Sequence, residues 1–324
     1  MRLSFLGGGT DFPSYFKNSG EVGRVFGCSI DKYVYVLGTN QPTFEKNRFK
    51  FTYRLTEEVN LIENFSHPVV REALRLLEWN TPINLATMAS LPGRSGMGSS
   101  SAFTVALVAL LKKCTNSEIS NEEIAETAVK IERDLLNESG GLQDQYHAAI
   151  GGTRLYEFTK NKVSYTASIS DYEFVKHLSE SLFLLPIGGE RSSTEFAKKT
   201  EHNISKDDTM PLLKQLSSLT SEVYERIESE RDPEDALRIL AEGMKEGWEI
   251  KKRISGSTSD NLDEALDFGL RNGAIAGKLC GAGGSGFAAF IVPADSRSKF
   301  QESYREDMLT KINIVNRGVE TYEI

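Results

Sequence analysis

The sequence predicts an α+β protein of two domains. Its 324 residues exceed what a single hydrophobic core ordinarily serves. Strand-like and helical segments alternate up to residue 158. A long helical stretch to about residue 271 then precedes a second set of β-forming segments. The boundary is expected near residue 160, giving domains of 1–160 and 161–324.

Residues 3–6 are apolar and break at Gly7-Gly8-Gly9, which reads as a strand and a turn. Tyr33-Val34-Tyr35-Val36-Leu37 and residues 49–53 are rich in β-formers. His67-Pro68 opens a helix whose Val69, Val70, Ala73, Leu74, Leu76 and Leu77 keep helical spacing. Residues 83–88 read as a strand, and residues 103–111 as a helix. Ser120 and Glu123 have capping-box spacing, and Ile124, Ala128, Ile131 and Leu135 form one face of the helix that follows. That helix is expected to end near Ser139-Gly140-Gly141. Residues 153–158 and 181–187 read as strands. The helical stretch after Gly188-Gly189 has Pro211 and Pro233 as natural interruptions. Residues 274–279, 288–292 and 312–315 are the expected strands of the last sheet.

The net charge of −8 argues against a nucleic-acid partner, because such affinity rests on neutralising phosphates. The longest largely apolar run, residues 103–111, falls far short of the ~20 residues that span a bilayer. No signal peptide is evident, since Gly7-Gly8-Gly9-Thr10-Asp11 stands where its apolar region belongs. Cys28, Cys114 and Cys280 are too dispersed for a disulfide framework or a zinc site. These features lead us to expect a cytoplasmic enzyme acting on a small molecule, as a monomer or homodimer.

Three stretches carry chemistry. Leu91-Pro92-Gly93-Arg94-Ser95-Gly96-Met97-Gly98-Ser99-Ser100-Ser101-Ala102 runs straight into the apolar helix. A helix start offers unbonded N–H groups and positive potential, and glycines let a phosphate touch the backbone. A flexible linker is the alternative, but a linker has no reason to feed an apolar helix. With no lysine in residues 92–102 this is not a Walker loop. Gly277-Lys278-Leu279-Cys280-Gly281-Ala282-Gly283-Gly284-Ser285-Gly286 holds more glycines than a hairpin requires, which suits close approach to a ligand or an anion nest. A bulged hairpin is the plainer alternative. Phosphoryl transfer also needs carboxylates, for which Glu132 and Asp144 are candidates, although Asp144 could instead be an ordinary helix cap. Thr10 and Asp11 suit sugar hydroxyls, or Asp11 forms an Asx-turn.

Together these residues resemble the superfamily of galactokinase, homoserine kinase, mevalonate kinase and phosphomevalonate kinase (GHMP kinases), over essentially the whole chain. Its three motifs would be residues 2–12, 92–102 and 277–286. The resemblance implies a ribosomal protein S5-like N-terminal domain and a ferredoxin-like C-terminal domain, with ATP between them. It implies that Pro92, Gly93, Arg94, Gly96, Met97, Gly98, Ser99 and Ser101 surround the triphosphate, joined by Gly281 and Gly283. Ser100 and Glu132 would ligate Mg²⁺, Asp144 would be the catalytic aspartate, and Arg2 its basic partner. Gly9, Thr10, Asp11 and Gly283 would meet the substrate.

Within the superfamily, Leu6-Gly7-Gly8-Gly9-Thr10-Asp11-Phe12-Pro13, Ile30-Asp31-Lys32-Tyr33 and Gln143-Asp144-Gln145-Tyr146 look most like D-glycero-D-manno-heptose 7-phosphate kinases. Galactokinases carry Glu-His where this chain has Gly8-Gly9, which argues against galactose. Arg191-Ser192-Ser193 after Gly188-Gly189 resembles a segment of the heptose kinases, and Arg191 is expected to read the sugar's own phosphate, a solvated arginine at a helix start being the alternative. The expected reaction is transfer from ATP to the anomeric hydroxyl of a phosphorylated heptose. Another sugar-1-kinase, for fucose, mannose or free heptose, is an alternative. A catalytically silent sugar and ATP sensor is another, which the intact Glu132 and Asp144 oppose.

Overall fold

The computed structural model describes every residue except 43, 94, 170–171, 189–192, 205, 207, 256–259, 282–285, 306–307 and 324, and the side chains of 193–197 and 255. β1 (Arg2–Leu6) runs into the glycine turn, and α1 (Pro13–Ser19) starts on a proline and ends on Gly20, whose φ of 73° suits a helix C-terminus. β2 (Gly23–Ser29), β3 (Val34–Asn40), β4 (Phe49–Thr52) and β5 (Thr56–Val59) follow. α2 (Pro68–Leu76) buries Val69, Val70, Ala73 and Leu74, the stripe its spacing predicts. β6 (Ile83–Ala89) leads through the Gly/Ser loop into α3 (Ser99–Cys114). α4 (Asn121–Val129) has the capping box of Ser120 and Glu123 and then widens into a π-helical turn, Lys130–Leu135. α5 (Gln143–Ile150), β7 (Thr153–Phe158) and β8 (Val163–Tyr165) come next.

α6 (Tyr172–Ser181) precedes β9 (Leu182–Ile187). The helical stretch resolves into α7 (Ser193–Ile204), α8 (Met210–Ser229), α9 (Pro233–Ser255) and α10 (Asp260–Arg271). Pro211 and Pro233 sit in first turns, where a missing N–H costs nothing. β10 (Ala276–Leu279), β11 (Gly286–Ile291), α11 (Arg297–Glu302) and β12 (Thr310–Lys311) finish the chain.

Two strands stand out among the differences from expectation. β2 is buried along almost its whole length, so it lacks the alternation that marks a strand, and a Cβ on its Gly27 would lie 2.6 Å from the Leu3 carbonyl oxygen. The final strand is Thr310–Lys311 against β9, not residues 312–315. There Asn313 donates its N–H to Asp31 (3.0 Å) and the chain crosses to β2, with Ile314 bridging Ile30.

Among the described residues these strands form three sheets, ordered β1-β2-β7-β8, β3-β6-β4-β5 and β10-β11-β9-β12. The last is antiparallel throughout, with its chain order second, third, first, fourth and helices at both crossovers, the split βαβ of a ferredoxin-like domain. The α+β expectation therefore holds. Leu3 and Phe5 of β1 share one buried cluster with Leu182 and Leu184 of β9 and Leu240 of α9. The same face of the molecule thus brings the turn after β1, the start of α3 and the end of β10 together.

Candidate active site

The Gly/Ser loop is shaped by its glycines. Gly96 and Gly98 have φ of 73° and 71°, left-handed values that side chains resist, and Gly98 is the residue from which α3 starts. The first bond within α3 runs from the Ala102 N–H to the Gly98 carbonyl (2.9 Å), so the amides of Ser99, Ser100 and Ser101 have no carbonyl inside the helix. β1 clamps the loop: Arg2 donates its backbone N–H to Met97 O (3.1 Å) and Nη1 to Gly96 O (2.7 Å). From the other side, a Cβ on Gly96 would stand 2.4 Å from Cys280 O, and one on Gly281 2.7 Å from the Gly96 Cα. Glycine is required at both because the two backbones touch.

Asp144 lies in the first turn of α5. Leu142 holds the position that precedes the helix, so Asp144 is not its cap. Arg2 Nε and Nη2 each reach Asp144 Oδ1 at 2.7 Å. The other oxygen faces α3, since a Cβ on Gly98 would lie 3.2 Å from Oδ2. The Arg2 side chain is 7% exposed and that of Asp144 24%, so the carboxylate opens to the cleft while its cation is sealed behind it.

Glu132 sits on the π turn, a local widening common at functional sites. Its Oε2 accepts from Ser101 Oγ (2.8 Å) and Gln145 Nε2 (2.5 Å), whereas Oε1 is buried without a partner. Ser101 therefore meets Glu132 directly: one helical step turns Ser101 inward and leaves Ser100 exposed on the cleft wall. A buried carboxylate oxygen without a donor suits a cation. Among the described residues no cluster of three or more metal-ligating side chains gathers. The donor set of one carboxylate and a hydroxyl fits Mg²⁺, which would complete its shell with phosphate and water. Arg133 steadies the turn by donating to Gly141 O (2.9 Å) and Glu138 O (3.2 Å). Burial and the charge of Glu132 push the Glu138 carboxyl up.

The first motif divides its labour. Asp11 is fully buried yet borders the cleft, and accepts from Gly9 N (2.9 Å), Gln143 N (3.1 Å) and Gln143 Nε2 (3.0 Å). Thr10 does not line the cleft: it bonds Gly7 O (2.9 Å) and both backbone groups of Arg24. Pro92 and Gly93 are exposed outside the cleft, and Met97 is buried in the core with only its carbonyl engaged. Arg94, Arg191, Ser192 and Gly283 lie outside the described residues.

The result is one cleft of about 390 Å³. It gathers Arg2, Gly9, Asp11, Gly96, Gly98, Ser99, Ser100, Ser101, Glu132, Asp144 and Gly281 from the expected set. It also holds Thr200 of α7, Lys251 of α9 and Lys278 of β10, which sequence reasoning missed. Lys278 stands inside the third motif, but its flanking glycines drew the reading to the backbone.

The description of the N-terminal domain of GHMP kinases matches residues 64–152, and that of their C-terminal domain residues 233–308, together just over half of the chain. The D-glycero-alpha-D-manno-heptose 7-phosphate kinase of Campylobacter jejuni is 25% identical over 100% of this chain and 97% of its own. A mevalonate kinase of Pyrococcus abyssi is 26% identical over 70% of this chain and 66% of its own. Among solved structures, a D-glycero-D-manno-heptose 1-phosphate kinase of Bacteroides thetaiotaomicron superposes with a TM-score of 0.75 at 21% identity, covering 100% of this chain and 98% of its own.

Proposed function

This chain belongs to the GHMP kinase family, and from that premise we propose that it transfers the γ-phosphoryl group of ATP to the anomeric hydroxyl of D-glycero-D-manno-heptose 7-phosphate, giving the 1,7-bisphosphate. The kinases of this family use ATP as donor, and the similarity to a heptose 7-phosphate kinase supports an alcohol as acceptor. The observation that supports phosphoryl transfer at this cleft is the pairing of Asp144 with Arg2 directly against Gly98, at the head of α3.

Phosphoryl transfer needs positioning and charge neutralisation more than covalent chemistry. The amides of Ser99, Ser100 and Ser101 bind the triphosphate end, with the α3 dipole behind them. Mg²⁺, when bound, offsets the charge that develops on the transferred group. Glu132 and Ser100 would hold it, and Ser101 and Gln145 fix the angle of the Glu132 carboxylate. Asp144 accepts the hydrogen bond of the attacking hydroxyl and aims its oxygen along the line of transfer; Arg2 prevents the carboxylate from rotating away. Asp11, held by three N–H donors, keeps the motif-one turn in the shape that receives the sugar.

Heptose is favoured by the similarity to the Campylobacter jejuni enzyme along the entire chain and by two side-chain-free positions, Gly8 and Gly9, at the cleft. The test is Mg·ATP consumption with free and phosphorylated hexoses and heptoses, and with mevalonate, followed by phosphorus NMR of the product. Fastest turnover with heptose 7-phosphate and a new anomeric phosphate is expected. Turnover of mevalonate alone, or a phosphate on another carbon, would overturn the reading.

A further inference from the structure

Two lysine ammoniums converge behind the first motif, from the second half of the chain. Lys251 stands near the end of α9 and Lys278 on β10, and both also border a small void behind Gly7 and Gly8. Their surroundings differ. Lys278 is buried and donates to the carbonyls of Ser4 (2.8 Å) and Phe5 (3.0 Å). The register of β1 against β2 slips between Ser4 and Leu6, so Lys278 satisfies carbonyls beside that bulge.

Lys251 is only half-buried. Its Nζ donates to Gly281 O (3.1 Å) and stands over Gly8: a Cβ built there would lie 3.6 Å from it. Gly8 does not have a left-handed φ, so its backbone makes no demand for glycine. What the glycine supplies is space beside an ammonium, on the cleft wall next to Asp11 and Gln143. Of the two carboxylates nearby, Asp11 accepts from amide donors and Asp144 from Arg2, and both attract the Lys251 charge. Burial and the neighbouring Lys251 lower Lys278 to about 7, and burial and Arg2 lower Lys251. A bound dianion would relieve that mutual repulsion.

We propose that Lys251, backed by Lys278, binds a phosphate monoester carried by the phosphoryl acceptor, in the space that Gly8 leaves open. This rests on the sugar-kinase reading and adds the residue that tells a charged acceptor from a neutral one. Lysine suits the task because a point charge accepts phosphate from several directions.

The experiment is calorimetric binding of heptose 7-phosphate and free heptose, without nucleotide, to wild type, K251M, K251R and G8E. Wild type is expected to prefer the phosphorylated sugar about tenfold or more, the scale of a hydrogen bond to a charged group. K251M should erase most of that preference and K251R should retain it. G8E, for which the backbone leaves room, places a carboxylate against the ammonium and should also erase it. A preference that survives K251M, or none in wild type, overturns the proposal; should K251M fail to fold by circular dichroism, G8E and K251R decide on the same terms. Because binding is read without turnover, an absence of kinase activity on either sugar would sink the heptose reading alone.

Discussion

Arg2 grips Asp144 from one side only: Nε and Nη2 both meet Oδ1 at 2.7 Å, while Oδ2 is turned toward Gly98 at the head of α3. A carboxylate held this way is oriented without being used up. Asp144→Asn keeps the shape but offers the alcohol an amide. Turnover should fall by about 10²–10⁴-fold, with ATP affinity measured by calorimetry nearly unchanged. Turnover within a few-fold of wild type would remove Asp144 from the chemistry.

Glu132 should reveal itself through magnesium. Its Oε1 is buried and unpartnered, so Glu132→Gln removes charge where Mg²⁺ is proposed to sit and spares the packing. The Mg²⁺ concentration for half-maximal rate should rise about tenfold. Melting temperature should hold or increase, because a buried carboxylate is costly to keep. An unchanged magnesium titration would place the cation elsewhere.

The contact of Gly96 with Cys280 and Gly281 makes a stability prediction. Gly96→Ala meets both a φ of 73° and a carbonyl oxygen 2.4 Å away, neither of which a side-chain movement relieves. Chemical denaturation should show a loss of about 2–4 kcal/mol. Gly8→Ala, whose nearest neighbours stand 3.5 Å off, should cost less than ~1 kcal/mol. Similar losses at the two positions would refute this account of the loop.

Lys278 should couple folding to pH. Its ammonium is lowered from 10.5 to about 7 by burial and by Lys251, so the folded protein releases a proton near neutrality that the unfolded chain keeps until about 10.5. The unfolded state then binds more protons between these values, and stability rises with pH across that window. Below about pH 7 both states are protonated and the full penalty stands. Measured against Lys278→Met from pH 6.5 to 10, wild type should gain melting temperature with pH; a flat difference would contradict the shift.

The anion-binding start of α3 was legible in the sequence because its parts are adjacent: glycines, serines and an apolar helix within one short run. The Ser120–Glu123 cap was legible for the same reason. Asp144 and Glu132 are legible as candidate carboxylates and take their separate roles from the resemblance, whereas only coordinates show that Ser101 rather than Ser100 turns to Glu132. The inward turn of Thr10 is not legible, since its partner, Arg24, is set by strand packing rather than by spacing. Lys251 had no local signal at all: an ordinary lysine on a long helix becomes part of the cleft when α9 docks against β1. β2 escaped notice because burial on both faces erases the polar–apolar rhythm.

The core shared by Leu3 and Phe5 with Leu182, Leu184 and Ile291 bears on how the chain is made. A ribosome delivers about 5–20 residues per second. β1 therefore emerges before β9 and β11 and waits on the order of ten seconds to a minute for them, with an apolar flank uncovered. Nascent chains halted before residue 180 should consequently be sticky, recruiting chaperones that the released full-length chain no longer attracts.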